Sequence, residues 1–379
     1  MKQPHMKKKR EHTQTTHTTE HLFPNFAKIG AETTRCSLQQ HTKSLSTVGS
    51  SETIRKTPES EPSWLIQQDH SLYTHAFDWS SVKHHLPQHI KTYSPEFLSW
   101  FVGFSEGDGS FIVSGNRLFF TITQKDPALL YRLRTHLGFG VVCSDTQHPE
   151  VKRLTVTHRD HIKTLISLFN GNLLLKKTTQ RFTEWVNHYN KLTGDSIRVI
   201  SRWEGRNVSP REDSPNFTRS RRRMTERESA CFRKDSLFWN TSWLAGFIEA
   251  EGCFSAIRKR EALYFRLVLD QTNEVDILTA IRFLFRDRGS LWIRKQTPGK
   301  IQYRLEISNG DCLQDVIKYL EAHPLQTKKN LAFVRWKKLF GLVCKIREEK
   351  LNGTYVWSEK REKRLHRLFS ELQKTSKNV

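Results

Sequence analysis

Apolar residues follow a strand-like period of two in several short stretches of residues 94–190. In the clearest of these, Leu118, Phe120 and Ile122 alternate with mostly polar neighbours, so one face of a strand enters a core and the other stays open. Helical patterns lie before, between and after the strands, and Asp126 followed by proline is typical of a helix start. The predicted order is helix, two strands, helix, two strands and two further helices.

Residues 236–345 show the same order a second time. The strands and helices predicted there are Cys253–Lys259, Leu263–Gln271, a helix over Val275–Phe285, strands Leu291–Gln296 and Gln302–Ser308, and helices near 312–323 and 327–343. Two copies of one αββαββα unit predict an α+β fold of two pseudo-symmetric repeats. Each repeat should hold a four-stranded antiparallel sheet with one apolar and one polar face.

Each repeat opens on one short stretch, which reads WFVGFSEGDGSF from Trp100 and WLAGFIEAEGCF from Trp243. Aligned without gaps, the two copies place Asp108 opposite Glu251, each at the exit of a predicted helix. Small residues four apart form a flat stripe on each helix, which lets two helix backbones approach more closely than the usual 8–10 Å. These residues are Gly103 and Gly107 in the first copy, and Gly246 and Ala250 in the second. We therefore expect the two helices to pack against each other.

Such packing would put Asp108 and Glu251 side by side where both helices end. A helix C-terminus already carries about half a negative charge, so two carboxylates there repel each other and the helix dipoles. A divalent cation removes this conflict, and carboxylate oxygens are ligands that suit Mg²⁺. For a single copy, ordinary helix packing with solvated acids would be the preferred explanation. Two copies in register favour the metal site.

The segments outside the repeats have different compositions. Residues 1–93 are rich in Ser, Thr and His with few apolar groups, so we expect this extension to be mostly disordered. Residues 191–235 are predicted to be a charged linker, whose Arg219–Arg223 cluster either contacts phosphates or is simply solvated. Residues 346–379 are predicted to form a basic helical tail that docks on the body of the protein. Its apolar face comprises Leu365, Leu368, Phe369 and Leu372.

The charge balance points to a polyanionic partner. The 379 residues contain 62 Lys and Arg against 39 Asp and Glu, a formal net charge of +23, most simply explained by nucleic acid binding. No apolar run approaches the ~20 residues of a membrane span. The six cysteines are scattered without a Cys-x-x-Cys pair, which argues against structural zinc and for a reducing compartment.

The stretches FVGFSEGDG and LAGFIEAEG resemble the LAGLIDADG motif of homing endonucleases and their maturase relatives, in the single-chain, two-repeat form. The resemblance covers residues 94–190 and 236–345. It implies a saddle of two antiparallel sheets with the two motif helices at the interface. It also implies site-specific, Mg²⁺-dependent cleavage of double-stranded DNA that promotes intron mobility.

The resemblance also implies roles for the acidic positions of the motif. Asp108 and Glu251 would be catalytic and bind the metal, and the carbonyls of Gly107 and Ala250 would add ligands. The earlier acids, Glu106 and Glu249, would be structural.

Further catalytic positions line up in both repeats. Gln124 and Gln271 each end the second strand, where the family places a residue that orients water. Lys176 and Lys328 each open a late helix, where the family places a basic residue near the scissile phosphate. The next residue is also lysine in both repeats, so this alignment is open by one position.

The polar sheet faces are the expected DNA-binding surface, because a β-ribbon fits the major groove and these side-chain types contact base edges or phosphates. From the strand alternation and the family alignment, the predicted contacts are Ile112, Ser114, Asn116, Arg117, Thr121, Arg153 and Thr155 in the first repeat, and Ser255, Ile257, Lys259, Tyr264, Arg266, Arg294, Gln296, Gln302 and Arg304 in the second.

The leading hypothesis is therefore a DNA endonuclease, and the alternative is an RNA-binding maturase that assists splicing on the same fold without needing the acids. Unequal repeats imply a monomer that recognises a long, non-palindromic target, with host intron RNA a further possible partner. The family is commonly encoded inside organelle introns, so the resemblance implies a mitochondrial or chloroplast location. The lack of a long apolar run predicts no membrane association.

Overall fold

The structure, a computed structural model, describes residues 73–144, 148–203, 226–260 and 262–377. In these ranges the α-helices are α1 (Pro95–Asp108), α2 (Pro127–Leu137), α3 (Arg159–Phe169), α4 (Lys176–Thr193), α5 (Glu226–Asp235), α6 (Leu237–Asn240), α7 (Trp243–Glu251), α8 (Val275–Leu284), α9 (Gly310–Ala322), α10 (Lys329–Leu351) and α11 (Glu359–Lys377). The strands are β1 (Gly109–Ser114), β2 (Arg117–Gln124), β3 (Val141–Ser144), β4 (Lys152–Val156), β5 (Gly252–Lys259), β6 (Ala262–Thr272), β7 (Ser290–Thr297) and β8 (Lys300–Ile307). None of the described helices is both long and apolar enough to cross a bilayer.

Each repeat contains a four-stranded sheet, ordered β1-β2-β4-β3 in the first and β5-β6-β8-β7 in the second. The pairs β1–β2, β2–β4, β3–β4, β6–β8 and β7–β8 are antiparallel. In the first sheet Phe120 lies opposite both Phe111 and Val156, because β2 is a central strand. The predicted α+β fold of two repeats is therefore confirmed.

The apolar face of each sheet is covered by the late helix of its own repeat. Phe120 and Leu269, predicted to point inward, are fully buried. The Trp185 ring of α4 lies 5.2 Å from Phe111 of β1, and the Trp336 ring of α10 lies 5.5 Å from Phe254 of β5. Each buried aromatic side chain stabilises its repeat by about 3 kcal/mol. In both repeats a tryptophan of the late helix packs on a phenylalanine of the first strand, so the two cores are built alike.

Residues 73–93, the described part of the segment before the first repeat, are held by contacts with that repeat. The backbone N–H of Asp78 donates to Asn172 Oδ1 at 3.0 Å, and Asn172 Nδ2 donates back to Asp78 O at 2.8 Å. The Tyr93 hydroxyl donates to the last carbonyl of α2 at 2.6 Å. Residues 73–93 are therefore ordered. The prediction that residues 1–93 are mostly disordered stays a prediction, because residues 1–72 lie outside the described part of the chain.

The predicted linker, residues 191–235, includes the helix α5, which the sequence pattern did not predict. The helix is anchored by Arg233, whose guanidinium donates to the fully buried Asp315 at 2.6 Å. Residues 204–225, and with them the Arg219–Arg223 cluster, lie outside the described residues.

The basic tail, residues 346–379, docks as expected. Helix α11 packs along α10 and buries Leu365, Leu368 and Leu372. Its Gln373 Nε2 donates to a carbonyl of β5 at 2.9 Å. The predicted boundary at 345/346 is not a structural one, because α10 continues through it for more than a turn.

The chain divides into two compact units, and of the smaller one the structure describes only the tip of the β5–β6 hairpin, Ile257–Tyr264 without residue 261. Within this tip Lys259 Nζ lies 5.7 Å from the centroid of the Tyr264 ring, a cation–π distance. Arg260 at the turn has a φ of 53°.

Candidate active site at the helix pair

Helices α1 and α7, which carry the doubled stretch, pack directly against each other. A methyl group added at Gly103 would lie 2.0 Å from the carbonyl oxygen of Trp243, and one added at Gly246 would lie 2.0 Å from that of Trp100. Any side chain at either position would force the backbones apart. Because the two contacts mirror each other, the helices are related by an approximate twofold axis, as the small-residue stripes predict.

Both helices pass straight into a strand at a glycine. Helix α1 starts at Ser94, whose hydroxyl accepts from the Phe97 N–H at 3.1 Å, with proline at the first helical position. Gly109 and Gly252, which follow the two helices, both have extended backbones, with φ near −81°. A side chain at Gly109 would collide with the Ser105 carbonyl. The last residue of each helix is therefore an acid held at the junction between helix and sheet.

Two buried acids join the repeats crosswise. Trp100 Nε1 donates to Glu249 Oε2 at 2.5 Å, and Trp243 Nε1 donates to Glu106 Oε2 at 2.7 Å. Glu106 Oε1 also accepts from the backbone N–H groups of residues 174 and 175, and Glu249 accepts from a backbone N–H just before α10. Burial raises the pKa of Glu106 to about 8 and raises that of Glu249 as well. These contacts fit the structural role that the resemblance implied for both residues.

The acids at the helix exits, Asp108 and Glu251, each contact the glutamine predicted for their own repeat. Gln124 Nε2 donates to Asp108 Oδ2 at 2.7 Å, and Gln271 hydrogen-bonds to Glu251. A methyl group at Gly107 of α1 would lie 3.4 Å from Glu251 Oε1, so this carboxylate reaches the end of the opposite helix. Burial raises the pKa of both acids, and the charge of Asp108 raises that of Glu251 further. The structure thus brings together two like charges, as predicted.

One lysine from each repeat faces the acid of the other repeat. Lys177 Nζ donates to Gln271 Oε1 at 3.1 Å, and its charge favours ionised Glu251 and so lowers the pKa of that acid. Lys329 is buried, which lowers its pKa, while the nearby charge of Asp108 acts in the opposite direction. We call Asp108, Gln124 and Lys329 the Asp108 half-site, and Glu251, Gln271 and Lys177 the Glu251 half-site.

The predicted lysines, Lys176 and Lys328, are one residue away from the ones that face the acids. Lys176 Nζ instead lies 2.8 Å from Asp276 Oδ2 and 4.4 Å from the centroid of the Trp203 ring. Lys328 Nζ is largely exposed and pairs with Asp126 at 3.3 Å. Successive helical residues point about 100° apart, so a shift of one position changes the direction of the side chain completely. The adjacent lysines were the signal in the sequence that left this alignment open.

The acids at the helix pair are suited to a magnesium ion. Across the described ranges there is no group of three or more His, Cys, Asp or Glu side chains able to hold a metal, so a cation here would take its protein side-chain ligands from two carboxylates. Mg²⁺ is commonly held by one or two carboxylates together with waters and substrate phosphates. The residues therefore fit the ion, and further ligation by the carbonyls of Gly107 and Ala250 stays a prediction.

The predicted DNA-contacting residues differ in exposure. Those that are exposed are Ile112, Ser114, Asn116, Arg117, Arg153, Lys259, Tyr264, Arg294 and Gln296, and those that are half-buried are Thr155, Ser255, Ile257, Arg266, Gln302 and Arg304. Thr121 is buried, contrary to expectation, because it lies on the central strand β2 between Ser110 and Thr155. Direct contact of Thr121 with a ligand is therefore disfavoured.

The polar face of the second sheet carries acids as well as arginines. Asp270 accepts from Arg304 at 2.6 Å through both oxygens and from Arg294 at 2.7 Å. Although burial opposes it, these guanidinium groups hold the pKa of Asp270 below its ordinary value. Arg266 pairs with Glu306 at 2.7 Å in the same way. The arginines of this face are thus held in fixed orientations before any ligand binds.

Two α+β repeats joined by glycine-packed helices that each end in an acid define a two-repeat LAGLIDADG protein. The family model for the LAGLIDADG endonuclease matches residues 101–189 and 244–340, one match in each repeat. The chain belongs to this family.

Two intron-encoded endonucleases are similar to part of the chain. The chain is 28% identical over 261 residues to the probable intron-encoded endonuclease 4 of Neurospora crassa, and the match covers 65% of this chain and 40% of that protein. It is 26% identical over 257 residues to the probable intron-encoded endonuclease Cox1-I1b of Schizosaccharomyces pombe, covering 64% and 63%. The chain thus spans less than two thirds of either relative.

A solved structure supports the fold. The LAGLIDADG homing endonuclease I-GzeII, crystallised in complex with its DNA target, superposes with a TM-score of 0.50 at 19% identity. The match covers 73% of this chain and 97% of that one. At this level of identity the likeness concerns the fold alone.

Proposed function

We propose that this protein is a site-specific endonuclease that cuts both strands of DNA with the help of a divalent metal ion. The observation that carries the proposal is the pairing of Asp108 with Glu251, one acid from each repeat, at the exits of the packed helices. Each acid has its own glutamine and a lysine from the other repeat, so neither half-site lacks a component. The named relatives, both described as probable intron-encoded endonucleases, support the same activity.

The acids and the glutamines of the two half-sites are suited to different roles in the reaction. Asp108 and Glu251 would hold the cation, because two half-buried like charges are stabilised by a positive ion between them. Gln124 and Gln271 each bind the acid of their own repeat. Gln124 has a second polar atom with which to orient a water molecule, whereas Oε1 of Gln271 accepts from Lys177. The bound metal would supply charge stabilisation at the phosphoryl oxygens and activate the attacking water.

The lysines contribute positive charge close to the reacting phosphate. We assign this role to Lys177 and Lys329, since both face the acids. A fixed cation in a site shielded from water stabilises the charge that develops in the transition state and needs no reorganisation during the reaction.

The polar sheet faces would bind the target. The second face presents Arg266, Arg294 and Arg304 already oriented by acids, and an arginine held in this way is suited to bidentate contact with guanine. The net charge of +23 supplies the general attraction to phosphates. The target would be long and non-palindromic, because the two faces differ in sequence.

Cleavage of a randomised double-stranded DNA library in the presence of Mg²⁺, with recovery of the cut molecules, tests the proposal and identifies the target. Asp108→Asn and Glu251→Gln preserve volume and remove charge. Either change should slow double-strand cleavage of the recovered target by about a thousandfold or more, because the metal stabilises the transition state by several kcal/mol. Binding, measured by gel shift, should persist.

Asp311→Asn is the matched control. This exposed carboxylate of α9 pairs only with Arg288 among the ion pairs of the described residues, so the variant should cut like the wild type. Double-strand breaks made by either motif-acid variant at the wild-type rate would contradict the assigned roles. Removing Mg²⁺ with EDTA should stop cleavage and leave the fold unchanged.

The intact acids of both repeats favour the nuclease over a maturase, which would require neither of them. One chain already supplies both half-sites, so we propose that it acts as a monomer. The intron-encoded relatives support an origin in an organelle gene and action in that organelle. Imaging of a tagged protein against mitochondrial and plastid markers tests this last point.

A further inference from the structure

Four consecutive backbone N–H groups at the start of α4, those of residues 174–177, all donate to buried carboxylates. The first two donate to Glu106 Oε1, each at 2.7 Å. The last two, of Lys176 and Lys177, donate to Glu274 at 3.3 and 2.7 Å. Glu106 belongs to the first repeat and Glu274 to the second, so the start of α4 is attached to both repeats.

Glu274 is delivered to this position by a turn fixed at Asn273. The residue adopts a φ of 59°, in the left-handed region that Asn tolerates better than most residues. Its side chain accepts from the Ile301 N–H at 2.7 Å and donates to the Gly299 carbonyl at 2.9 Å. The turn is therefore tied to the β7–β8 hairpin. Gln271 lies three residues before Glu274, at the end of β6, so one rigid segment presents the side chains of both Gln271 and Glu274.

Lys177 is held at two points by that segment. Its backbone N–H is fixed by Glu274 and its ammonium by Gln271 Oε1, at 2.7 and 3.1 Å. Glu274 and Gln271 are 2% and 3% exposed, so neither has an alternative partner in solvent. Gln271 in turn hydrogen-bonds to Glu251. The direction of the Lys177 side chain towards the Glu251 half-site thus depends on where Glu274 places the first turn of α4.

The Asp108 half-site is built differently. The positional counterpart of Glu274 is Asp126, which caps its own helix through the Ala128 N–H at 3.2 Å. Its cross-repeat contact among the described residues is with the exposed Lys328 ammonium. The N–H of Lys329 is capped within its own repeat by Thr327 Oγ1 at 3.1 Å. Lys329 therefore depends on its own repeat for its position, whereas Lys177 depends on the opposite one.

We infer that Glu274 is a positioning residue for the Glu251 half-site, and that cleavage of one of the two DNA strands depends on it while cleavage of the other does not. This inference rests on the proposed endonuclease function and goes beyond it by assigning separate supports to the two half-sites.

Glu274→Gln keeps the side-chain volume but removes the charge and one of the two acceptors. The first turn of α4 then loosens, and Lys177 loses its fixed direction. A misplacement of about 1 Å can cost roughly a hundredfold in rate, so the affected strand should be cut about 10- to 100-fold more slowly. The nicked intermediate should accumulate. Lys177→Met should slow the same strand as Glu274→Gln, and Gln124→Ala, in the Asp108 half-site, should slow the other strand.

The measurement uses the duplex recovered from the library selection, with each strand labelled separately at its 5′ end, and full-length protein with Mg²⁺. Asp315→Asn is the control for a general structural defect, because it disturbs a buried carboxylate of the second repeat that binds Arg233 and Arg286 and makes no contact with α4 among the described hydrogen bonds. This control should slow both strands equally or neither. Strand bias in Glu274→Gln, without bias in Asp315→Asn, supports the inference.

Hydrogen exchange of the free protein provides a readout that needs no DNA. The amides of Lys176 and Lys177 should exchange about tenfold faster or more in Glu274→Gln, since hydrogen bonds to a charged acceptor are lost. Equal slowing of both strands, or unchanged exchange at these amides, overturns the inference. A wild-type protein that cuts no DNA overturns the proposed function instead, and exchange then still decides whether Glu274 holds α4.

Discussion

Helices α1 and α7 are in backbone contact at Gly103, and replacing this glycine by alanine tests that contact. The added Cβ would lie 2.0 Å from the Trp243 carbonyl oxygen and 2.8 Å from its carbonyl carbon. Ordinary contact begins near 3.4 Å, so α1 and α7 must separate by roughly 1.4 Å at this point. The obstacle is backbone and not a flexible side chain, so a rotamer change cannot relieve it.

The expected cost follows from two opposing terms. Overpacking a well-packed interface costs about 1–3 kcal/mol and occasionally more, and a fixed backbone obstacle places this site at or above the upper end of that range. Alanine gains about 1 kcal/mol over glycine within a helix. The net destabilisation should be about 2 kcal/mol or more, a shift of about 1 M in the urea midpoint. Cleavage should fall further, because Asp108 and Glu251 sit at the ends of the separated helices.

Urea unfolding followed by tryptophan fluorescence, together with cleavage of the selected target, measures both effects. Gly341→Ala is the matched control: this glycine lies within α10, and an added Cβ there meets nothing within 4 Å. The control should be neutral or more stable by up to about 1 kcal/mol, with unchanged cleavage. If Gly103→Ala unfolded at the wild-type midpoint and cut DNA normally, the close packing of the two helices would be refuted.

Three further outcomes are expected. Lys177→Met should reduce cleavage by about a hundredfold or more while Lys176→Met has a much smaller effect, and equal losses would contradict the one-residue shift. Folding raises the pKa of Glu106 from its ordinary 4.5 to about 8, so its contribution to stability is full below about pH 4.5 and is lost as the pH rises through 8. The urea midpoint of the wild type should therefore fall more steeply between pH 4.5 and 8 than that of Glu106→Gln. Leu372→Ala should destabilise the protein by about 2–5 kcal/mol through the docked tail, and a change below 1 kcal/mol would show that the tail packs loosely.

The repeat architecture could be predicted from the sequence because its signals are local. The alternation that places Phe120 and Leu269 inward is a property of a few consecutive residues, and both are fully buried. The start of α1 at Ser94 and the stop of α7 at Glu251 follow from capping residues and glycine. The helix pair could also be predicted, since the same small-residue stripe occurs twice.

The lysines of the half-sites could not be placed by such signals. Whether Lys176 or Lys177 faces the acids is decided by the rotation of α4, and that rotation is set by Glu274, which is 97 residues from Lys177. No local pattern contains a contact of this range. The order of residues 73–93 has the same origin, since Asp78 is held by Asn172, 94 residues away.

The burial of Thr121 is a further feature that the sequence pattern could not predict. Its position on the polar face follows from the alternation, but its exposure depends on which strands flank it. The sheet order β1-β2-β4-β3 places β2 between β1 and β4, so Thr121 has a neighbouring strand on each side and is buried. Strand alternation predicts a face, whereas exposure requires the topology.

The difference between Glu274 and Asp126 arises from one extra residue in the second repeat. Helix α2 begins three residues after Gln124, whereas α8 begins four residues after Gln271. The additional position accommodates the left-handed turn at Asn273 and so directs a carboxylate across to α4. In a symmetric dimer such an insertion would appear in both halves at once, and both late helices would be held in the same way. A single chain can change one repeat alone. The two repeats can therefore differ both in the DNA sequence that they recognise and in the contacts that hold the lysine of each half-site.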